Sequence, residues 1–269
     1  MARALLACAV APPPEVARRI VAAALGRSAH DLPDRLAPAD LDPRTPAPAW
    51  ASTPLERAEF HVVDLETTGL SRSCEILEIG AVHVAAGRRV SHFFTLVRPS
   101  GPVPAKITAL TGIDDASVRE APPASECLGR FRTWLDRSPG APFVAHNAPF
   151  DAGFVGRGFA RYGLRPLDVP VLCTRKLARR ALPALGGFGL DRVCEHLGIR
   201  NSARHRAAGD AAATAELLLA LLDRARTRHR LETLGDLAQL LRSPPARRAR
   251  SEPPPNAVTG PEAGPRRRC

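Results

Sequence analysis

The chain has 269 residues, of which 45% are hydrophobic, so it is long enough for one substantial domain with its own core and for flanking segments. Its 38 Lys and Arg residues against 27 Asp and Glu residues give a net charge of +11, which suits a polyanionic partner, although the near-exclusive use of arginine equally fits the imprint of a GC-rich genome. The six cysteines include no Cys-x-x-Cys pair, which argues against a zinc site and a disulfide framework and fits a reducing cytoplasm. No apolar run approaches the ~20 residues that cross a bilayer, so a membrane partner is not expected and the protein is predicted to be cytoplasmic.

Residues 1–55 are predicted to be an extension separate from the main domain. Three prolines precede a predicted short helix at residues 15–25, and residues 32–54 are rich in Pro, Ala and Asp without a regular period, as in a linker. The short helix could dock on the domain or bind a partner, and docking is the simpler interpretation.

Residues 60–66 are predicted to form the first strand of the domain, and this strand carries two acids on one face. Side chains alternate along a strand, so Val62, Asp64 and Glu66 share a face. Two carboxylates this close raise each other's pKa or require a cation, and a hard divalent ion with oxygen ligands, such as Mg²⁺ or Mn²⁺, is the usual partner. A solvated strand end is the commoner explanation of such a pair when it stands alone.

The next elements define the fold class. Strands are predicted at residues 76–84 and 90–97, then short helices that begin near Pro104 and Ala124. Further along, strands at residues 142–145 and 169–173 alternate with helices. Three early strands followed by alternating helices and strands predict an α/β fold with a mixed sheet flanked by helices.

A third acid lies at the predicted start of a helix. Pro149 is a favoured first helical residue, and it places Asp151 in the opening turn. A first-turn Asp also stabilises a helix through the helix dipole, and Asn147 could serve as the helix cap, so both residues have purely structural explanations.

The fourth acid is the most unusual. Residues 207–225 are predicted to be a helix in which Asp210, Thr214, Leu217 and Leu221 lie on one face. A carboxylate on a core-facing stripe is costly unless it is paired, protonated or bound to a metal, although the helix dipole could supply part of the compensation. His205 is predicted to lie in the loop before this helix or in its first turn. A lone loop histidine is usually solvated, whereas one held beside a metal-bound water can accept the proton of that water near neutral pH.

The end of the chain has a different composition. Residues 231–241 are predicted to form a last amphipathic helix, and residues 243–269 are dominated by Pro, Arg and small residues, which is typical of a disordered tail. The main domain is therefore predicted to span residues 56–242.

Three segments resemble the motifs of a known family. Residues 64–69 (DLETTG), 146–151 (HNAPFD) and 205–211 (HRAAGDA) are similar to the three exonuclease motifs of the DnaQ-like, or DEDDh, 3′-to-5′ exonucleases. This group includes the proofreading subunit of bacterial replicative DNA polymerase. The resemblance covers roughly residues 60–222, and it continues between the motifs at residues 75–82 (EILEIGAV) and 107–113 (ITALTGI).

The resemblance implies a ribonuclease H-like fold, with the first strand in the centre of the sheet, and a role for each signature residue. Asp64, Glu66 and Asp210 would hold one metal ion, Asp64 would bridge to a second, and Asp151 would help to place the second through water. His205 would be the general base. Two ions, Mg²⁺ or Mn²⁺, roughly 4 Å apart would then support in-line displacement at phosphorus and release nucleoside 5′-monophosphates.

The resemblance also implies contacts with the terminal nucleotide. Backbone groups near Thr67 and the region of Leu110 and Thr111 would contact it, with Phe150 or Phe154 as a packing partner. Apolar residues at helical spacing are more often core residues than ligand platforms, so these assignments depend on the resemblance alone.

Three functions are compatible with these motifs. The leading hypothesis is a 3′-to-5′ exonuclease that acts on single-stranded or frayed 3′ ends of DNA in proofreading or repair. An RNA-trimming or oligoribonucleotide-degrading exonuclease is the alternative, because the motifs do not read the 2′-hydroxyl. A catalytically inactive module that binds nucleic acid or a polymerase is the third. A DNA polymerase is a candidate partner, and a free-standing nuclease is equally compatible with the sequence.

Overall fold

The computed structural model of the protein describes residues 49–243. The predicted N-terminal helix, most of the predicted linker and the Pro/Arg-rich tail lie outside the described residues. The predicted domain limits at residues 56 and 242 stay predictions.

Five strands form one mixed sheet in the order β3-β2-β1-β4-β5. The strands are β1 (Glu59–Thr67), β2 (Ile76–Ala85), β3 (Arg88–Leu96), β4 (Phe143–Ala145) and β5 (Val171–Cys173). Strands β1, β2 and β3 pair antiparallel, whereas β4 pairs parallel with both β1 and β5. The first strand is therefore the central one, and the predicted α/β class with a mixed sheet is confirmed.

The helices of the described residues pack on both faces of this sheet. They are α1 (Ala105–Thr111), α2 (Asp115–Val118), α3 (Ala124–Leu135), α4 (Pro149–Arg161), α5 (Thr174–Ala181), α6 (Leu190–Leu197), α7 (Ala207–His229) and α8 (Leu234–Arg242). Helices α2 and α5 were not predicted. The buried residues of α5 are spaced three and four apart, and this pattern within an Arg-rich segment is the signal that could have revealed it.

The alternation along β1 divides the core in two. Val62 packs with α7 residues such as Leu217 on one face, and Val63 packs with Phe131 and Phe159 of α3 and α4 on the other. The predicted assignment of alternate residues to opposite faces is confirmed. Because β1 lies between these two layers, its side chains can meet residues from helices on both sides.

A close contact between two backbone segments holds α7 against the sheet. A Cβ atom on Gly80 of β2 would lie 2.2 Å from the backbone of Ala207, the first residue of α7. Only glycine at this position lets the start of α7 touch the strand next to β1. The first turn of α7, which contains Asp210, is thereby brought close to β1.

Residues before β1 pack against the last helix. The backbone N–H of Leu55 donates to Glu232 at 2.9 Å, and that of Leu234 donates to Thr53 at 2.9 Å. Thr233 and Asp236 close the start of α8 with a reciprocal capping box. Among residues 49–243, no helix is both long and apolar enough to cross a membrane.

Candidate active site

Three carboxylates from distant parts of the chain converge at the end of β1. Asp64 and Glu66 lie on the same face of β1, as predicted, and Asp210 reaches them from the first turn of α7. One ligand oxygen from each of the three lies within 4.8 Å of the others, with Asp210 buried and the other two partly buried. Oxygen atoms grouped in this way can coordinate one hard divalent cation.

The fourth acid lies on α4, outside the group of three converging oxygens, and interacts with them through its charge. Asp151 is the third residue of this helix and is buried, with 4% of its surface exposed. Burial, with a smaller contribution from the charge of Glu66, raises the pKa of Asp151 to about 8, although backbone N–H groups lower it in part. Asp151 in turn contributes to the raised pKa of Asp64. The structure therefore brings all four predicted acids into one electrostatic cluster.

The cluster is electrostatically unfavourable without a cation. Burial, followed by the charges of Asp151, Asp210 and Glu66, raises the pKa of Asp64 well above its ordinary value. Burial and the charge of Asp210 likewise raise the pKa of Glu66 to about 7. Carboxylates that repel one another in a buried site must be protonated or neutralised by a positive charge. All the donor atoms are hard carboxylate oxygens, so the chemistry of this set fits Mg²⁺ or Mn²⁺.

The loop before α7 supplies direct contacts to Asp210. The side-chain amide of Asn201 and the backbone N–H of His205, at 3.0 Å, both donate to the Asp210 carboxylate. These bonds partly offset burial, which raises the pKa of Asp210. His205 lies in this loop with a left-handed φ of 56°, in the predicted position two residues before α7. Asn201 was not predicted, because it lies outside the three motifs.

A buried ion pair fixes the same loop to the sheet. Glu78 of β2 is fully buried and lies directly opposite Glu66 in the strand pairing. Its carboxylate accepts from Nε of Arg206 at 3.0 Å and from Nη2 at 2.6 Å, and it also accepts from the backbone N–H of Ala207 at 2.6 Å. Glu78 thus caps the start of α7 while it holds the residue next to His205. The signal in the sequence was a charged residue inside an otherwise apolar strand.

The histidine of the second motif has a structural role. Nε2 of His146 donates to the carbonyl of Phe188 at 2.9 Å, and Nδ1 lies 3.0 Å from the hydroxyl of Thr174. His146 therefore connects the segment before α4 to α5 and to the loop before α6. Asn147 has a φ of 90° and precedes the N-cap Ala148, which has no side-chain capping bond, so the proposed Asn147 cap is not formed.

The residues predicted to contact a nucleotide differ in exposure. Thr67 and Thr111 are buried, and their hydroxyls donate to the carbonyls of Gly69 at 2.7 Å and Ile107 at 2.9 Å. Leu110 is 52% exposed, and Phe150 is partly exposed with its ring 4.9 Å from that of Phe154. Of the four, Leu110 and Phe150 offer side-chain surface, and their role as nucleotide contacts stays a prediction.

Comparison with known proteins defines the class. A family model described as an exonuclease (RNase_T) matches residues 61–218, a span that contains the four acids and His205. The chain therefore belongs to the exonuclease (RNase_T) family, and the resemblance to DnaQ-like exonucleases is confirmed.

Two relatives refine this placement. The chain is 43% identical over 202 residues to a DNA polymerase III subunit epsilon-like protein of Rhodobacter capsulatus, covering 73% of this chain and 28% of that protein. It is 41% identical over 167 residues to a PolC-type DNA polymerase III of Caldanaerobacter subterraneus, covering 62% of this chain and 12% of that protein. The chain therefore spans only a minor part of the length of these relatives.

Solved structures show the same fold. Exonuclease X in complex with 5′-overhanging duplex DNA aligns with a TM-score of 0.53 and 26% identity, covering 68% of this chain and 99% of that one. E. coli exonuclease I in complex with a dT13 oligonucleotide aligns with a TM-score of 0.58 and 16% identity, covering 65% of this chain and 43% of that one, which shows the fold alone. The predicted ribonuclease H-like architecture is confirmed.

Proposed function

We propose that the protein is a metal-dependent 3′-to-5′ exonuclease that releases nucleoside 5′-monophosphates from DNA, in proofreading or repair. The observation that supports this most directly is the convergence of Asp64, Glu66 and Asp210 within 4.8 Å, with Asp151 near enough to raise the pKa of Asp64. Such a cluster is costly for a stable fold and useful for binding divalent cations at a phosphodiester.

Each residue of the cluster has a proposed role. Asp64, Glu66 and Asp210 would hold one divalent cation, and Asp64 and Asp151 would help to hold a second. When bound, the cations would supply activation of the attacking water and stabilisation of the leaving 3′ oxygen. His205 accepts the proton of the attacking water, since an imidazole can do so near neutral pH. The hydrogen bond from the His205 backbone to Asp210 keeps the proposed base beside the acids.

DNA is the proposed substrate because of the relatives. Both relatives are DNA polymerase III or epsilon-like proteins by name, and the exonuclease X structure contains 5′-overhanging duplex DNA. Single-stranded or frayed 3′ ends are the proposed form of the substrate, and a DNA polymerase is the proposed partner. RNA is the second candidate, because a 3′-exonuclease bound to a histone mRNA stem-loop shares the fold at 16% identity.

A direct assay tests activity, polarity and sugar preference together. Single-stranded DNA and RNA of one sequence, each labelled at the 5′ end, are incubated with Mg²⁺ and with EDTA. We expect a ladder of shortened DNA products and free 5′-monophosphates with Mg²⁺ only, and slower loss of RNA. Release from the 5′ end, equal activity in EDTA, or binding without release would contradict the proposal. Faster degradation of RNA would favour the second candidate.

A further inference from the structure

A groove of about 280 Å³ lies between the loop that follows β1 and helix α4. One wall is the loop after β1, with Arg72 and Cys74, and the other is α4, with Phe154, Arg157 and Arg161. We call these residues, together with Tyr162, the strand groove. It does not include the four acids, and of its residues only Phe154 was named above, as an alternative packing partner of the terminal nucleotide.

Both walls of the strand groove begin at a proposed metal-binding residue. The loop leaves β1 directly after Glu66 and Thr67, and its base is closed by two bonds between Thr68 and Glu75, each 2.9 Å long. Helix α4 carries Asp151 in its first turn, and Phe154 lies three residues further on the same face. A strand whose 3′ end is held at the acids can therefore continue between these walls.

The strand groove has an excess of positive charge. Arg72, Arg157 and Arg161 are exposed, and none of them forms an ion pair with a carboxylate of residues 49–243, in contrast to Arg132, Arg192 and Arg226. The one carboxylate among the residues that line the groove is Glu75, which accepts from the backbone N–H and the hydroxyl of Ser100 at 2.9 and 2.8 Å. Exposed guanidinium groups without carboxylate partners suit the phosphates of a polynucleotide.

Aromatic rings lie beside two of the arginines of the strand groove. The guanidinium of Arg157 lies 4.4 Å from the ring centre of Phe154, and that of Arg161 lies 5.8 Å from the ring centre of Tyr162, which is 37% exposed. Phe154 is buried, with 5% of its surface exposed, so the surfaces open for stacking are the guanidinium planes and the ring of Tyr162. Exposed arginine planes and aromatic rings beside a positive track are features on which single-stranded nucleic acids stack. From Asp151 to Arg161 the helix rises by roughly 15 Å, which spans several nucleotides.

We propose that the strand groove binds the phosphates and bases of the substrate's own single strand, upstream of the scissile phosphate. This proposal rests on the proposed nuclease function, because it takes the 3′ end to lie at the acids. It predicts that the protein holds a long strand more tightly than a dinucleotide, and that the difference depends on Arg157 and Arg161.

The test compares two double variants of equal charge. Arg157→Gln/Arg161→Gln removes two cations from the groove and keeps the long side-chain stems. Arg224→Gln/Arg228→Gln removes two exposed cations near the far end of α7, where Arg224 lies roughly 21 Å along the helix from Asp210. Binding of a labelled thymidine dodecamer is measured by fluorescence anisotropy at several salt concentrations, with Ca²⁺ in place of Mg²⁺ to slow hydrolysis. KM and kcat are then measured with Mg²⁺ for the dodecamer and for a thymidine dinucleotide.

For the groove variant we expect the slope of log affinity against log salt to fall by about 1.4, since each lost phosphate contact of a single strand contributes about 0.7. Its KM for the dodecamer should rise several-fold, while kcat and the KM for the dinucleotide stay unchanged. The proposal would be overturned if the groove variant had the same salt slope and dodecamer KM as the Arg224/Arg228 control. It would also be overturned if the KM for the dinucleotide rose as much as the KM for the dodecamer. Wild-type protein that releases no nucleotide with Mg²⁺ would refute the nuclease function, and the salt slopes would still decide whether the strand groove binds DNA.

Discussion

The two ends of strand β1 differ in how well their ionisable side chains are compensated. At the start of the strand, Glu59 pairs with His83 at 3.0 Å, and His61 is buried with its ring 5.0 Å from that of Trp134. A hydrogen bond with Ser138 and the pairing with His83 lower the pKa of Glu59, and burial lowers that of His61 to about 4. Each group is thus either paired or neutral near pH 7.

At the other end of the same strand, the acids are neither paired nor stably neutral. Asp64 and Glu66 lie near Asp151 and Asp210, and burial raises the pKa of all four. The charges of neighbouring acids raise the pKa of Asp64, Glu66 and Asp151 as well. Buried like charges that the fold leaves uncompensated are a mark of a functional site.

The largest expected effect comes from neutralising an acid at the end of β1 that carries Asp64 and Glu66, which we call the acid end. Asp64→Asn should lower the rate of nucleotide release by at least roughly a thousandfold, as is usual when one essential catalytic group is lost. Its melting temperature in EDTA should equal or exceed that of the wild type, because one repelling charge is gone. Asp210→Ala should also abolish activity. As a matched control, Glu59→Gln at the opposite end of β1 should keep its activity. A variant at Asp64 with undiminished Mg²⁺-dependent degradation would refute the site.

Replacement of His205 separates proton transfer from metal binding. His205→Ala should lower the rate by roughly 10²–10⁴-fold, the usual contribution of a general base, while the Mg²⁺ concentration for half-maximal activity stays the same. His205→Asn is the companion variant, because Asn tolerates the left-handed φ of 56° and keeps the backbone bond to Asp210. If Mg²⁺ affinity collapsed together with the rate in both variants, His205 would have a different role.

The buried pair of Glu78 and Arg206 should have an intermediate effect. Glu78→Gln removes the charge that holds Arg206 and the start of α7, so we expect activity or Mg²⁺ affinity to fall by roughly 10–100-fold, as for other residues that orient metal ligands. Glu195→Gln, which breaks an exposed pair with Arg192 at 3.0 Å, is the control and should change neither quantity. Equal behaviour of the two variants in a Mg²⁺ titration would show that Glu78 has no positioning role.

The acids could be predicted from the sequence because each lies in a local pattern. The alternation of β1 and the first turns of α4 and α7 assign Asp64, Asp151 and Asp210 to their faces without knowledge of the fold. Glu78 is different, since its partner Arg206 is 128 residues away, and a local pattern reveals only that a buried charge needs some partner. Asn201 has no such signal, because its bond to Asp210 depends on the path of an irregular loop.

The smallest effect is a pH dependence confined to the acid end. Without metal, the pKa values of about 7 for Glu66 and about 8 for Asp151 exceed the unfolded values of about 4, so the folded state binds these protons more tightly. The resulting stability is fully present below about pH 4, decreases as the pH rises above that value, and is lost by about pH 8. In EDTA the melting temperature should therefore still fall between about pH 6.5 and 8 and level off above about pH 8. The increase in melting temperature caused by Mg²⁺ should grow by several degrees over the same range, since 1 kcal/mol corresponds to roughly 2–4 °C in a domain of this size.

Two variants assign that pH dependence to one end of β1. Asp151→Asn should flatten the decline of the melting temperature in EDTA, because it removes the group with the pKa of about 8. His61→Phe should lower the melting temperature equally across the same range and leave the slope unchanged, because His61, with a pKa of about 4, is neutral throughout. If His61→Phe altered the slope and Asp151→Asn did not, the strained charges would lie at the start of β1, and the contrast between the two ends of the strand would be wrong.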